Sequence, residues 1–113
     1  MHELSLCEDM IDLLQERAKA DHYKQIKRIQ LEVGKLSGVE PDALIVAFNA
    51  AAKGSIAENA ALKVNEIPGL GWCDQCALEV TIEQRFDTCP HCNGYPLEIR
   101  QGDKMRIKHV EVI

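Results

Sequence analysis

The stretch Trp72-Cys73-Asp74-Gln75-Cys76, answered by Cys89-Pro90-His91-Cys92, decides how the rest of the chain is read. Its two C-x-x-C turns lie twelve residues apart, enough chain for a short hairpin that brings them together. Two such turns supply the four soft thiolates that a tetrahedral zinc site takes. A segment this short buries too little apolar surface to fold alone, so metal ligation would supply folding free energy. Paired thiols in a reducing compartment point to metal rather than to disulfides. A thioredoxin-like redox pair would instead need one C-x-x-C beside a βαβ unit, which the pattern lacks. Cys73, Cys76, Cys89 and Cys92 are therefore expected to hold Zn(II) in a closed, structural site, since a catalytic zinc keeps an open position. His91, between two ligands, is expected to fill a knuckle position and point to solvent. From Cys73 to Cys92 the only Lys or Arg is Arg85, set against Asp74, Glu79, Glu83 and Asp87. Four thiolates around Zn²⁺ add about two further negative charges. Such a module repels phosphate, and no nucleic-acid partner is expected.

Working outward, the flanks are periodic where the cysteine segment is not. Met105, Ile107, His109 and Glu111 alternate with Arg106, Lys108, Val110 and Val112, a strand with period two. Leu62, Val64 and Glu66-Ile67 form a shorter one, stopped by Pro68-Gly69, and Leu78, Val80 and Ile82 read as one arm of a hairpin. Ile29, Leu31 and Val33 mark a strand over 25–33, with Gly34 and Gly38 bracketing the turn that follows. Leu4, Cys7, Met10, Ile11, Leu14 and Ala18, spaced by threes and fours, predict an amphipathic helix from Leu4 to about Lys19. Glu40-Pro41-Asp42 opens a second helix with Leu44, Ile45, Phe48, Ala51 and Ala52 on its apolar side, and Gly54 is expected to end it. The fold class is thus α+β: two helices packed on a three-stranded sheet, with an inserted zinc-ribbon subdomain. Residues 1–68 and 98–113 form the α+β domain and 69–97 the ribbon, with Trp72 expected to pack the joint. Cys7 reads as a buried small hydrophobe.

The chain has 113 residues, a formal net charge of −5, 46% hydrophobic residues and only 4% aromatic ones, so its core must be aliphatic. No apolar run is long enough to span a bilayer, and Met1-His2-Glu3-Leu4 has neither a basic leader nor a long apolar stretch. A cytoplasmic protein without a membrane partner is expected.

The N-terminus is the second place with chemistry. The Met1 amine, the His2 amide nitrogen and the His2 imidazole can close fused chelate rings on one ion, with Glu3 supplying a further position. Nitrogen-rich tetragonal coordination suits Ni(II) or Cu(II), and a deprotonated amide donor favours square-planar Ni(II). Set against this, any frayed terminus can begin Met-His, and Glu3 also suits the first turn of a helix.

Met1-His2-Glu3-Leu4-Ser5, Glu32-Val33-Gly34-Lys35-Leu36-Ser37 and the paired C-x-x-C turns, in this order along the whole chain, resemble the HypA/HybF hydrogenase maturation proteins. The resemblance implies a nickel metallochaperone with Ni(II) as transient cargo at Met1 (amine), His2 and Glu3, and Zn(II) at the four cysteines. It makes residues 1–68 and 98–113 a nickel-binding domain. It implies work beside a HypB-type GTPase and delivery to the [NiFe]-hydrogenase large subunit; some relatives also serve urease. Certain members carry histidines just outside the C-x-x-C pairs that alter zinc ligation with pH. Here Ala77 and Asn93 follow Cys76 and Cys92, so a pH-switched zinc site is not expected. The chain is expected to be a monomer or homodimer. The competing reading is a zinc-ribbon protein-interaction adaptor without metal delivery. No nucleophile, base and orienting group stand together in the pattern, so an enzyme is not expected.

Overall fold

The structure, a computed structural model, describes residues 2–113. In chain order it comprises α1 (His2–Asp21), β1 (Ile26–Gly34), α2 (Pro41–Ala51), β2 (Ala61–Ile67), β3 (Gly69–Cys73), β4 (Leu78–Ile82), β5 (Glu98–Gln101) and β6 (Met105–Val112). The strands form two three-stranded sheets, ordered β2-β1-β6 and β4-β3-β5. The α+β class and the two helices read from the sequence are present. No helix among the described residues is long and apolar enough to cross a membrane.

By compactness the chain divides in two. One unit holds the residues up to Leu31, Glu40–Val64 and Ile107–Ile113; the other holds Glu32–Val39 and Asn65–Arg106. Three of the four divisions fall within β1, β2 and β6, and the fourth, between Val39 and Glu40, just precedes α2.

The first unit is built around α1, α2 and β1. Cys7, Met10, Ile11 and Leu14 are the buried stripe of α1, and Leu44, Ala47 and Phe48 that of α2. Ile26, Ile29 and Leu31 of β1 are almost fully buried too. Each such aliphatic side chain contributes about 1.5–3 kcal/mol by leaving water. Helix α1 begins two residues before Leu4 and ends two after Lys19. Glu3 explains the early start: an acidic side chain in the first turn meets the positive helix end. Glu40 caps α2, accepting from the Ala43 N–H at 2.6 Å, with Pro41 in the first turn. The helix stops at Ala51, short of Gly54, which instead takes φ +76° in the turn beyond.

The second unit has its own small core of Leu36, Cys73, Val80, Ile82, Cys89 and Leu97. Here the structure adds two strands to the sequence reading. β3 pairs antiparallel with β4, Gly71 facing Val80, and with β5, Trp72 facing Glu98. β3 hides in the sequence because its buried positions are Gly69, Gly71 and Cys73, which carry little apolar signal. β5 is only four residues long, with one apolar member, Ile99. The Trp72 indole N–H donates to Asp74 at 2.8 Å, and the Arg100 guanidinium lies 4.9 Å from the ring centre.

Candidate metal centres

The four cysteines arrive from three places. Cys73 ends β3, Cys76 closes the turn into β4, and Cys89 and Cys92 sit on the loop that returns to β5. Ala77 and Asn93, each one residue past a C-x-x-C turn, adopt left-handed φ of 53° and 59°. Around the second turn, backbone N–H groups point toward sulfur. The His91 N–H donates to Cys89 Sγ and the Gly94 N–H to Cys92 Sγ, both at 3.4 Å.

All four Sγ atoms lie within 4.8 Å of one another. Cys73 and Cys92 are 3.6 Å apart and Cys76 and Cys89 4.0 Å apart. A regular tetrahedron with metal–sulfur bonds of about 2.3 Å has edges of about 3.8 Å. The donor set therefore fits a four-thiolate tetrahedral ion such as zinc. His91 is exposed, as expected of a residue that only fills the knuckle.

As free thiols, Cys76, Cys89 and Cys92 hold their protons unequally. The hydrogen bond to Cys92, then burial, pushes the Cys76 thiol up to about 12. Burial also acts to raise Cys89, but the N–H groups of His91 and Cys92 outweigh it and hold that thiol at about 7. At Cys92 the Gly94 N–H lowers the value, while proton sharing with Cys73 and burial raise it overall. A divalent ion at the centre replaces these protons, and its affinity falls in acid. Gln75, which the sequence did not single out, places Oε1 3.4 Å from Cys92 Sγ.

The second candidate site lies on α1. His2 and Glu3 both stand in its first turn, the helix beginning at His2. The His2 Nε2 lies 3.8 Å from the Glu3 Oε2, with the imidazole largely exposed. The same Glu3 oxygen accepts from the Glu40 N–H at 3.4 Å, a contact across 37 residues that no local pattern reveals. Glu3's own backbone N–H and that of Glu40 hold its carboxyl below the ordinary carboxylate value. An imidazole nitrogen and a carboxylate are thus side by side, while the Met1 amine lies outside the described residues. Cys7 points the other way, into the core, with its Sγ 3.6 Å from the Leu44 carbonyl oxygen.

The chain is 44% identical over 112 residues to the hydrogenase maturation factor HypA of Azotobacter chroococcum, covering 99% of each. It is 41% identical over 112 residues to that of Albidiferax ferrireducens, again over 99% of each. The solution structure of the nickel metallochaperone HypA from Helicobacter pylori superposes with a TM-score of 0.71 at 23% identity, over 98% of this chain and 97% of that one. A second solution structure, of a HypA protein, gives 0.70 at 25% identity over 100% of this chain and 97% of that one. Residues 1–112 match the family model described as hydrogenase/urease nickel incorporation, metallochaperone, and the chain belongs to that HypA family.

Proposed function

We propose that the protein carries Ni(II) as cargo on the Met1 amine, His2 and Glu3, and releases it, with a HypB-type GTPase, to the large subunit of a [NiFe]-hydrogenase. Membership of a nickel-incorporation family makes the chain a metallochaperone of hydrogenase maturation, not an enzyme. The observation that carries the finer reading is the His2 imidazole beside the Glu3 carboxylate in the first turn of α1. The first four amides of a helix have no carbonyl partner within it. Deprotonating the His2 amide to bind a metal therefore breaks no helical hydrogen bond. A cation here also meets the positive end of the helix, a penalty that the Glu3 carboxylate offsets. This balance suits a carrier, which must bind and still let go. In the same reading residues 1–68 and 98–113 serve the cargo, and Cys73, Cys76, Cys89 and Cys92 hold zinc as a structural ion within 69–97. The site of action is the cytoplasm.

The test is a nickel titration of untagged wild type and His2→Ala, with zinc content and far-UV circular dichroism measured on both. His2→Ala is expected to lose nickel binding while keeping about one zinc per chain and its helical signal. Nickel bound equally well by the variant would disprove the site. Zinc without any nickel site in wild type would instead support the adaptor reading.

A further inference from the structure

Of the large apolar side chains that the second unit leaves outside its core, Leu78, Phe86 and Tyr95, Phe86 is the most exposed. Phe86 is 78% exposed, although Ile82 before it and Cys89 after it are both buried there. The turn carrying it is closed twice over. The Asp87 N–H donates to the Gln84 carbonyl at 3.1 Å. The Asp87 Oδ2 accepts from the Glu83 and Gln84 N–H groups at 2.9 and 3.0 Å. Arg85 and Phe86 occupy the corners of this turn, between the end of β4 and the ligand Cys89. A ring held outward on an ordered turn adds little to the stability of its own chain. Its burial is left for a partner, and a side chain with only two torsions loses little entropy when pocketed.

The charges of the segment say what the partner looks like. Between Cys73 and Cys92, Asp74, Glu79, Glu83 and Asp87 face a single base, Arg85. Glu83 has one ion-pair partner, Lys35 at 4.0 Å. Four thiolates on a divalent ion add further negative charge. A second copy brings the same acidic segment and a net charge of −5, so like would meet like. An anchor of one aromatic side chain also suits a small, short-lived contact better than a permanent one.

We infer that the Phe86 turn is a docking anchor that enters an apolar pocket bordered by Lys or Arg on the protein receiving the nickel. The inference rests on the delivery reading above and adds the surface through which delivery is made. Unlike charges across the contact raise the association rate and make it fall with salt.

The experiment measures binding of full-length, zinc-loaded protein to purified, nickel-free, unprocessed hydrogenase large subunit by biolayer interferometry. Phe86→Ala should weaken binding about thirtyfold, and Phe86→Tyr should bind nearly as wild type. Zinc content and nickel affinity should be unchanged in both, and wild-type association should slow as salt rises. Wild-type binding by Phe86→Ala overturns the docking surface alone and leaves delivery standing. A loss seen only toward the partner GTPase, or only in self-association, assigns the turn to another occupant and equally overturns it. A wild-type protein that does not bind the large subunit at all removes the delivery reading and the docking surface with it.

Discussion

Cys7 and Cys92 show how position decides what a thiol can do. Cys7 is fully buried, and that burial, with Glu3 and Glu8 nearby, pushes its thiol up to about 11. It is expected to resist iodoacetamide in the folded, metal-free protein at pH 8, while the exposed Cys92 is alkylated. Peptide mass spectrometry reads the difference, and fast labelling of Cys7 would contradict its placement. The sign of its pH effect follows from the ordinary value of 9.0. Between about 9 and 11 the unfolded chain has given up the proton and the folded one still holds it. Stability from this group is thus fully present below 9 and falls as pH rises toward 11. Glu3 works in the opposite sense: its lowered carboxyl favours the folded state above the ordinary range, an advantage lost as acid protonates it. Chemical reach was readable in the sequence where spacing encodes it. The two C-x-x-C turns and the helical phase of Cys7 could be read directly; the Glu40 N–H on Glu3 could not, because it depends on a chain reversal.

At the level of elements, the helices were legible, and of the ribbon strands only β4 was. Helical phase is written in side-chain size over many residues, as with Met10, Ile11 and Leu14. β3 is specified by absence: a Cβ on Gly69 would come within 2.7 Å of the Ile82 carbonyl oxygen and of the Leu36 side chain. Gly34 ends β1 for a similar reason, with a Cβ there only 2.0 Å from the Gly102 carbonyl oxygen. Gly34 opens the turn that the sequence showed, its carbonyl accepting from the Ser37 N–H at 3.0 Å, and it also allows close backbone approach. Gly34→Ala is expected to cost about 3 kcal/mol in urea unfolding, whereas an unchanged midpoint would mean the backbones part easily. Glu40→Ala removes the carboxylate that caps α2, and a loss of about 1 kcal/mol is expected by the same measurement. Its magnitude should show in the unfolding midpoint with the slope unchanged.

For the whole molecule, the ion proposed at the four cysteines and the apolar core around the helices are expected to support different parts of the chain. The second unit has a core of only six residues, two of them cysteines. Removing its metal with a strong chelator should strip amide-exchange protection from Leu78–Ile82, while Met10, Leu14 and Phe48 amides keep theirs. Equal loss across both helices would show that the ion supports the entire fold. That core also draws on a distant segment. Leu36, 3% exposed, belongs to Glu32–Val39, whereas all four thiolates lie within Asn65–Arg106. Cut out as one continuous cassette, residues 65–106 would carry the complete ligand set yet leave a hole where Leu36 packs. The ribbon is therefore not a portable part. Any recombination that moved it into another protein would have had to carry two separate pieces of coding sequence together, or let a new neighbour fill the gap.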